Sequence, residues 1–108
     1  MIDWARVDAL RQDVGEADLA EVVTLFLSET EETLERLARP GAARAPDMLH
    51  AVKGSALGLG LRDLARLCAQ GEADLTRGER GPDPAALRTC FVQSRRLLLA
   101  GLADRAIR

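Results

Sequence analysis

The sequence predicts an all-α fold: an antiparallel up-down four-helix bundle with a short N-terminal helix packed across one end, built as a single domain over residues 1–108. Three observations predict it. Almost every apolar pattern recurs at threes and fours rather than at twos. The segments are separated by short clusters of Gly, Pro and Asp. A composition of 47% apolar and 30% charged residues in 108 positions suits one soluble core rather than a disordered chain.

Asp3 is placed to cap a first helix running to about Val14, with Trp4, Val7 and Leu10 on one face and Gly15 ending it. From Glu16 to about Ala38, Leu19, Val22, Val23, Phe26, Leu27, Thr30, Leu34 and Leu37 describe a long amphipathic helix. Its opposite face, with Glu29, Glu31, Glu32 and Glu35, is expected in solvent. Arg39-Pro40-Gly41 breaks the pattern, and Pro46-Asp47 restarts it in a third helix through about Leu57. Gly58-Leu59-Gly60 makes a short reversal, followed by a fourth helix from about Leu61 to Leu75 with Leu64, Leu67, Cys68 and Leu75 inward. After a loop over Gly78–Asp83, with Asp83 as cap and Pro84 at the first helical position, the last helix runs to about Arg105. Leu87, Cys90, Phe91, Ser94, Leu97, Leu98, Gly101 and Leu102 mark its buried stripe.

Several function classes fall away. A net charge of -2 gives no basic field, and three aromatic residues are too few for base stacking, so no nucleic acid is expected as partner. The longest apolar stretch, Leu97 to Ala103, is far shorter than a bilayer span, and Met1-Ile2-Asp3-Trp4 lacks the basic start of a signal peptide. No membrane association and a cytoplasmic location are expected. Cys68 and Cys90 lie on apolar stripes without ligand spacing, which favours buried reduced thiols over a disulfide or metal site. No metal and no cofactor is expected in the chain.

The chemistry concentrates at one position. Of fifteen basic residues only Lys53 is lysine, and it stands three positions after the only histidine, in His50-Ala51-Val52-Lys53-Gly54-Ser55-Ala56. On a helix, residues three and four apart share a face, so His50, Lys53 and Gly54 form a patch of nucleophile, cation and gap, suited to a phosphoryl group. Taken singly each has a bland reading: a surface histidine, a solvated lysine, a glycine permitting close packing. Together they do not. Gly54 costs about 1 kcal/mol relative to alanine inside a helix, which calls for a compensating reason, and clearing space beside the ring supplies one. Ser55 either adds a hydroxyl there or faces the core.

The third and fourth helices should form a hairpin reversing near residue 61, and both rise about 1.5 Å per residue. His50 and Glu72 are each eleven residues from that point, so they sit at one height. If their faces meet, Glu72 accepts the Nδ1 proton, fixes the tautomer and leaves the Nε2 lone pair free to attack phosphorus. A carboxylate there also stabilises the cationic ring that forms. Lys53 supplies a mobile ammonium for the phosphoryl oxygens without the rigid clamp of an arginine.

These residues resemble the histidine phosphotransfer (HPt) domains of two-component phosphorelays. The family signature is a histidine, a variable residue, an aliphatic one, lysine, glycine and small residues, closed by a glycine, here Gly60. Leu64, Cys68 and Glu72 match the pattern on the following helix, and the resemblance extends over essentially the whole chain. It implies that His50 accepts the phosphoryl group, Lys53 steadies it, Gly54 gives access and Glu72 holds the imidazole. Many members have glutamine where this chain has Glu72. The carboxylate holds a ring cation better than an amide, yet adds negative charge near the incoming group.

The resemblance implies a relay between receiver-domain aspartates through phospho-His50, with response regulator receivers and a hybrid or sensor histidine kinase as partners and Mg²⁺ on the receiver. The chain has no nucleotide loop of its own and should not be a kinase. Docking is expected around Val22, Leu57 and Leu61. A phosphoaccepting domain of a chemotaxis-type kinase stays open, favoured by Glu72 and opposed by a chain that ends at Arg108; so does a non-transferring adaptor bundle. A monomer is expected. Enrichment in Ala, Arg and Leu suggests a bacterial genome rich in GC.

Overall fold

The computed structural model describes residues 1–39 and 45–106 and is all-helical. Five helices follow one another: α1 (Trp4–Val14), α2 (Glu16–Leu37), α3 (Ala45–Leu59), α4 (Arg62–Thr76) and α5 (Pro84–Ala106). No strand occurs among the described residues, only one isolated bridge between Ile2 and Leu61. The expected break at Pro40 and Gly41 lies outside the described residues.

Several helix ends have a local reason. The Asp3 carboxylate accepts the Arg6 backbone N–H at 3.3 Å and caps α1, and Gly15, at φ 87°, closes it. Asp83 accepts the Ala85 N–H at 3.0 Å and caps α5, with Pro84 as its first residue. The third helix does not stop at Leu57. It continues through Gly58, whose missing Cβ leaves room for the Phe26 ring; a Cβ there would be 3.1 Å from it. The reversal belongs to Gly60 alone, at φ 77°. Gly60 N–H donates to Leu57 O at 3.3 Å and Leu61 N–H to Ala56 O at 2.8 Å, the paired bonds of a glycine-terminated helix. The same pair ends α4 at Gly78.

Packing runs from α2 to α3, α3 to α4, α4 to α5 and α5 back to α2, so these four helices close a ring, while α1 lies against α2 and α3. The core between them is aliphatic, with Leu27, Leu49, Val52, Leu64, Cys68, Leu87, Phe91 and Leu98 buried. Thr30 is buried too, its hydroxyl spent on the Phe26 carbonyl at 2.8 Å. Several expected inward positions differ: Leu67 and Leu97 are exposed, and Leu75, Cys90, Gly101 and Leu102 are only half-buried. A stripe drawn at threes and fours is wider than the strip of helix that the neighbours cover. On the acidic face of α2, Glu31 is half-buried and bridges Arg88 at 3.4 Å and Arg95 at 3.3 Å on α5.

The N-terminal segment pins the α3–α4 turn. Asp3 N–H donates to Gly60 O at 2.8 Å, Ile2 pairs with Leu61, and the Arg6 Nε–H donates to the Gly58 carbonyl at 3.3 Å. At the same end, the Trp4 indole occupies the space beside Gly101 of α5 and lies under the Arg105 guanidinium at 3.6 Å.

Candidate functional site

His50 is held outward by what flanks it. Leu49 and Val52 are buried on the inner face of α3, so the ring of His50 projects to solvent and its side chain is 74% exposed. Lys53 follows one turn later on the same flank, and Gly54 opens the surface beside both: a Cβ there would meet nothing within 4 Å.

From α4, Glu72 reaches this flank. Its Oε2 lies 3.4 Å from His50 Nδ1, a close polar contact longer than an ordinary N–H···O hydrogen bond. Its Oε1 lies 2.8 Å from Lys53 Nζ as an ion pair and is shielded from solvent. The Lys53 ammonium, and after it His50, hold the Glu72 carboxyl below its ordinary value of 4.5, against the opposing effect of burial. An ionised carboxylate can only accept, so a neutral imidazole hydrogen-bonded to it would carry its proton on Nδ1 and keep the Nε2 lone pair outward.

One contributor escaped the sequence reading. Gly71 is buried beside Glu72, and a Cβ there would stand 2.7 Å from the Pro82 ring and 3.2 Å from Leu49. Its bare backbone lets α4 lie against α3 and the α4–α5 connection at the level of His50. The available signal was a glycine inside an otherwise regular helical pattern.

Cys68 stands one turn before Glu72 but is fully buried. Burial first, and the Glu72 charge second, push its thiol up to about 12, so it offers no second nucleophile. Burial also raises the Cys90 thiol.

The expected docking residues separate. Leu57 is 55% exposed, Val22 is half-buried against the core, and Leu61 is fully buried. The expectation of a surface Leu61 is corrected: its side chain belongs to the buried core, while its backbone pairs with Ile2 of the N-terminal segment. Leu57 instead borders a shallow depression of about 410 Å³ together with Lys53, Arg62, Ala65, Arg66 and Ala69. A larger cleft of about 610 Å³ lies elsewhere, among Leu37, Leu49, Leu75 and Leu87, and includes none of His50, Lys53 and Glu72. Among the described residues no group of three or more His, Cys, Asp or Glu side chains is placed to hold a metal ion. No helix there is long and apolar enough to cross a membrane.

His50 Nδ1 and the Glu72 carboxylate thus face each other across two adjacent helices of the ring. Among known families, the model described as Hpt domain matches residues 21–106. The chain belongs to the Hpt domain family. No curated protein and no solved structure matches it. Hpt domains are helical bundles that act in phosphorelays through histidine phosphotransfer, interacting with receiver domains and kinases. The match begins inside α2, and α1 precedes it in the chain.

Proposed function

We propose that this Hpt domain is a relay intermediate in which His50 carries the phosphoryl group between receiver-domain aspartates. The observation that carries the reading is the position of Glu72, 3.4 Å from His50 Nδ1, where a carboxylate would hold the ring proton on Nδ1 and leave Nε2 free. In the forward step Nε2 attacks the phosphorus of the receiver's aspartyl phosphate. The new N–P bond forms as the aspartyl O–P bond breaks and the aspartate leaves as a carboxylate. The proton on Nδ1 stays in place, and the ring becomes a cation facing Glu72. Reversal on a second receiver returns the imidazole to its starting state.

Within this reading Lys53 steadies the phosphoryl oxygens and Gly54 leaves room for the partner's active site. The up-down connection of the four ringed helices presents α3 and α4 side by side to the partner. Mg²⁺ arrives with the receiver, which supplies most of the electrostatic stabilisation. Leu57 and the depression beside it form the apolar part of the docking face, and Arg62 and Arg66 add positive charge toward an acidic receiver site. The reading places the protein in a bacterial cytoplasm as a monomer, working with a hybrid or sensor histidine kinase.

A second reading is favoured by one observation, the carboxylate at position 72. It supports a phosphoaccepting domain of the chemotaxis-kinase type, loaded from ATP by a separate catalytic domain. The two are told apart by presenting the protein to phosphorylated receiver domains and, separately, to kinase catalytic domains with labelled ATP. Rapid loading from receivers selects the relay. Loading only from ATP selects the kinase-type reading, and loading from neither selects a non-transferring adaptor.

A further inference from the structure

Glu72 faces two partners at once, His50 through Oε2 at 3.4 Å and Lys53 through Oε1 at 2.8 Å. The Lys53 and Glu72 side chains each keep 26% of their exposure, whereas His50 keeps 74%. The ammonium is therefore turned in toward the carboxylate, away from the outward Nε2. In the resting protein Glu72, rather than open solvent, holds the cation that a phosphoryl group needs.

Phosphoryl transfer changes which charges are present. Before it, the ring that attacks must keep a free Nε2 lone pair and so bears no charge, and Glu72 and Lys53 neutralise each other. Afterwards Nε2 bears a dianionic phosphoryl group, while the ring carries a positive charge with its proton on Nδ1. The best pairing then differs: imidazolium with carboxylate, ammonium with phosphoryl oxygens. Nothing obstructs the change, because Lys53 is one turn from His50, its stem is flexible, and the position of Gly54 is open.

We propose that phosphorylation of His50 moves the Lys53 ammonium from Glu72 to the phosphoryl oxygens and leaves the Glu72 carboxylate to the imidazolium N–H. Glu72 is then a positioning residue with two tasks, orienting the ring and holding Lys53 in reserve. As the phosphoryl group departs, the ammonium returns to Glu72, so the re-formed ion pair favours onward transfer. An amide at this position would orient the ring without holding the lysine. The inference rests on the phosphotransfer reading of His50.

The chain has one lysine and one histidine, so isotopically labelled lysine gives a single side-chain signal. The full chain and its Glu72→Gln variant are recorded before and after phosphorylation with phosphoramidate, phosphorus NMR reporting the phosphohistidine. The resting Lys53 signals are expected to differ between the two proteins, and both are expected to move toward a common position once phosphohistidine forms. A wild-type Lys53 signal that stays put while phosphohistidine is present overturns the exchange alone. So do identical resting signals in the two proteins. Absence of phosphohistidine, from phosphoramidate and from phosphorylated receivers alike, removes the phosphotransfer reading and the exchange with it.

Discussion

His50 Nδ1 and Glu72 Oε2 lie 3.4 Å apart across the α3–α4 hairpin, and the turn that sets their register is closed by Gly60 against Asp3. Two glycines of this hairpin therefore serve opposite ends. Gly60 is required by the backbone, whereas Gly54 stands in open space.

Alanine at these two positions should separate stability from function. Gly60→Ala meets a positive φ of 77° and places a Cβ 2.6 Å from the Asp3 carbonyl oxygen, and should cost ~2–3 kcal/mol in urea unfolding. Gly54→Ala should gain about 0.5–1 kcal/mol, since an exposed helical glycine is replaced without a clash. The same variant should slow phosphoryl transfer by about tenfold, because the new methyl group crowds the approach to Nε2. Unchanged transfer in Gly54→Ala would remove access as the reason for the glycine.

The depressed Glu72 carboxyl makes a signed prediction about acid stability. A carboxylate whose folded value lies below its unfolded 4.5 contributes stability that is fully present above that pH and is lost as pH falls through the folded value. The unfolding free energy of the wild type relative to Glu72→Gln should therefore be constant at neutral pH and shrink as pH falls below 4.5. A difference independent of pH would contradict the ion pair.

Thiol reactivity should divide the two cysteines. With its thiol pushed up to about 12, Cys68 has a thiolate fraction of about one in ten thousand at pH 8 and is sealed from reagents. In the folded protein a disulfide reagent should label half-buried Cys90 first and leave Cys68 unmodified until the chain unfolds.

The docking face predicts unlike effects for two leucines. Leu57→Glu, at an exposed position, should leave stability within about 0.5 kcal/mol and weaken receiver binding by about tenfold or more, read by titration calorimetry. Leu61→Ala, at a buried one, should cost ~2–5 kcal/mol of stability instead. Full receiver affinity in Leu57→Glu would move the docking face elsewhere.

The facing of His50 and Glu72 was legible from the chain because a short turn between two regular helices makes height a matter of counting. The starts of α1 and α5 and the break between α1 and α2 were legible because these signals are local: Asp3, Gly15, Asp83 and Pro84 act on the residues beside them. What depended on distant partners was not. Leu61 reads as a surface leucine after a turn, but its side chain joins the core and its backbone pairs with the returning N-terminal segment. Gly58 looked like part of the turn, yet its reason is the Phe26 ring on another helix. Glu31 read as one more solvated carboxylate until α5 brought Arg88 and Arg95 beside it. The Lys53–Glu72 pair was hidden for a different reason, since a flexible lysine has several anions within reach and helical spacing does not choose among them.

The central claim, that His50 carries the phosphoryl group, is tested most directly by intact mass after exposure to a phosphorylated receiver domain, beside a His50→Gln variant. The account predicts one acid-labile phosphoryl adduct on the wild type and none on the variant. An adduct on both proteins, or an acid-stable one, would contradict it.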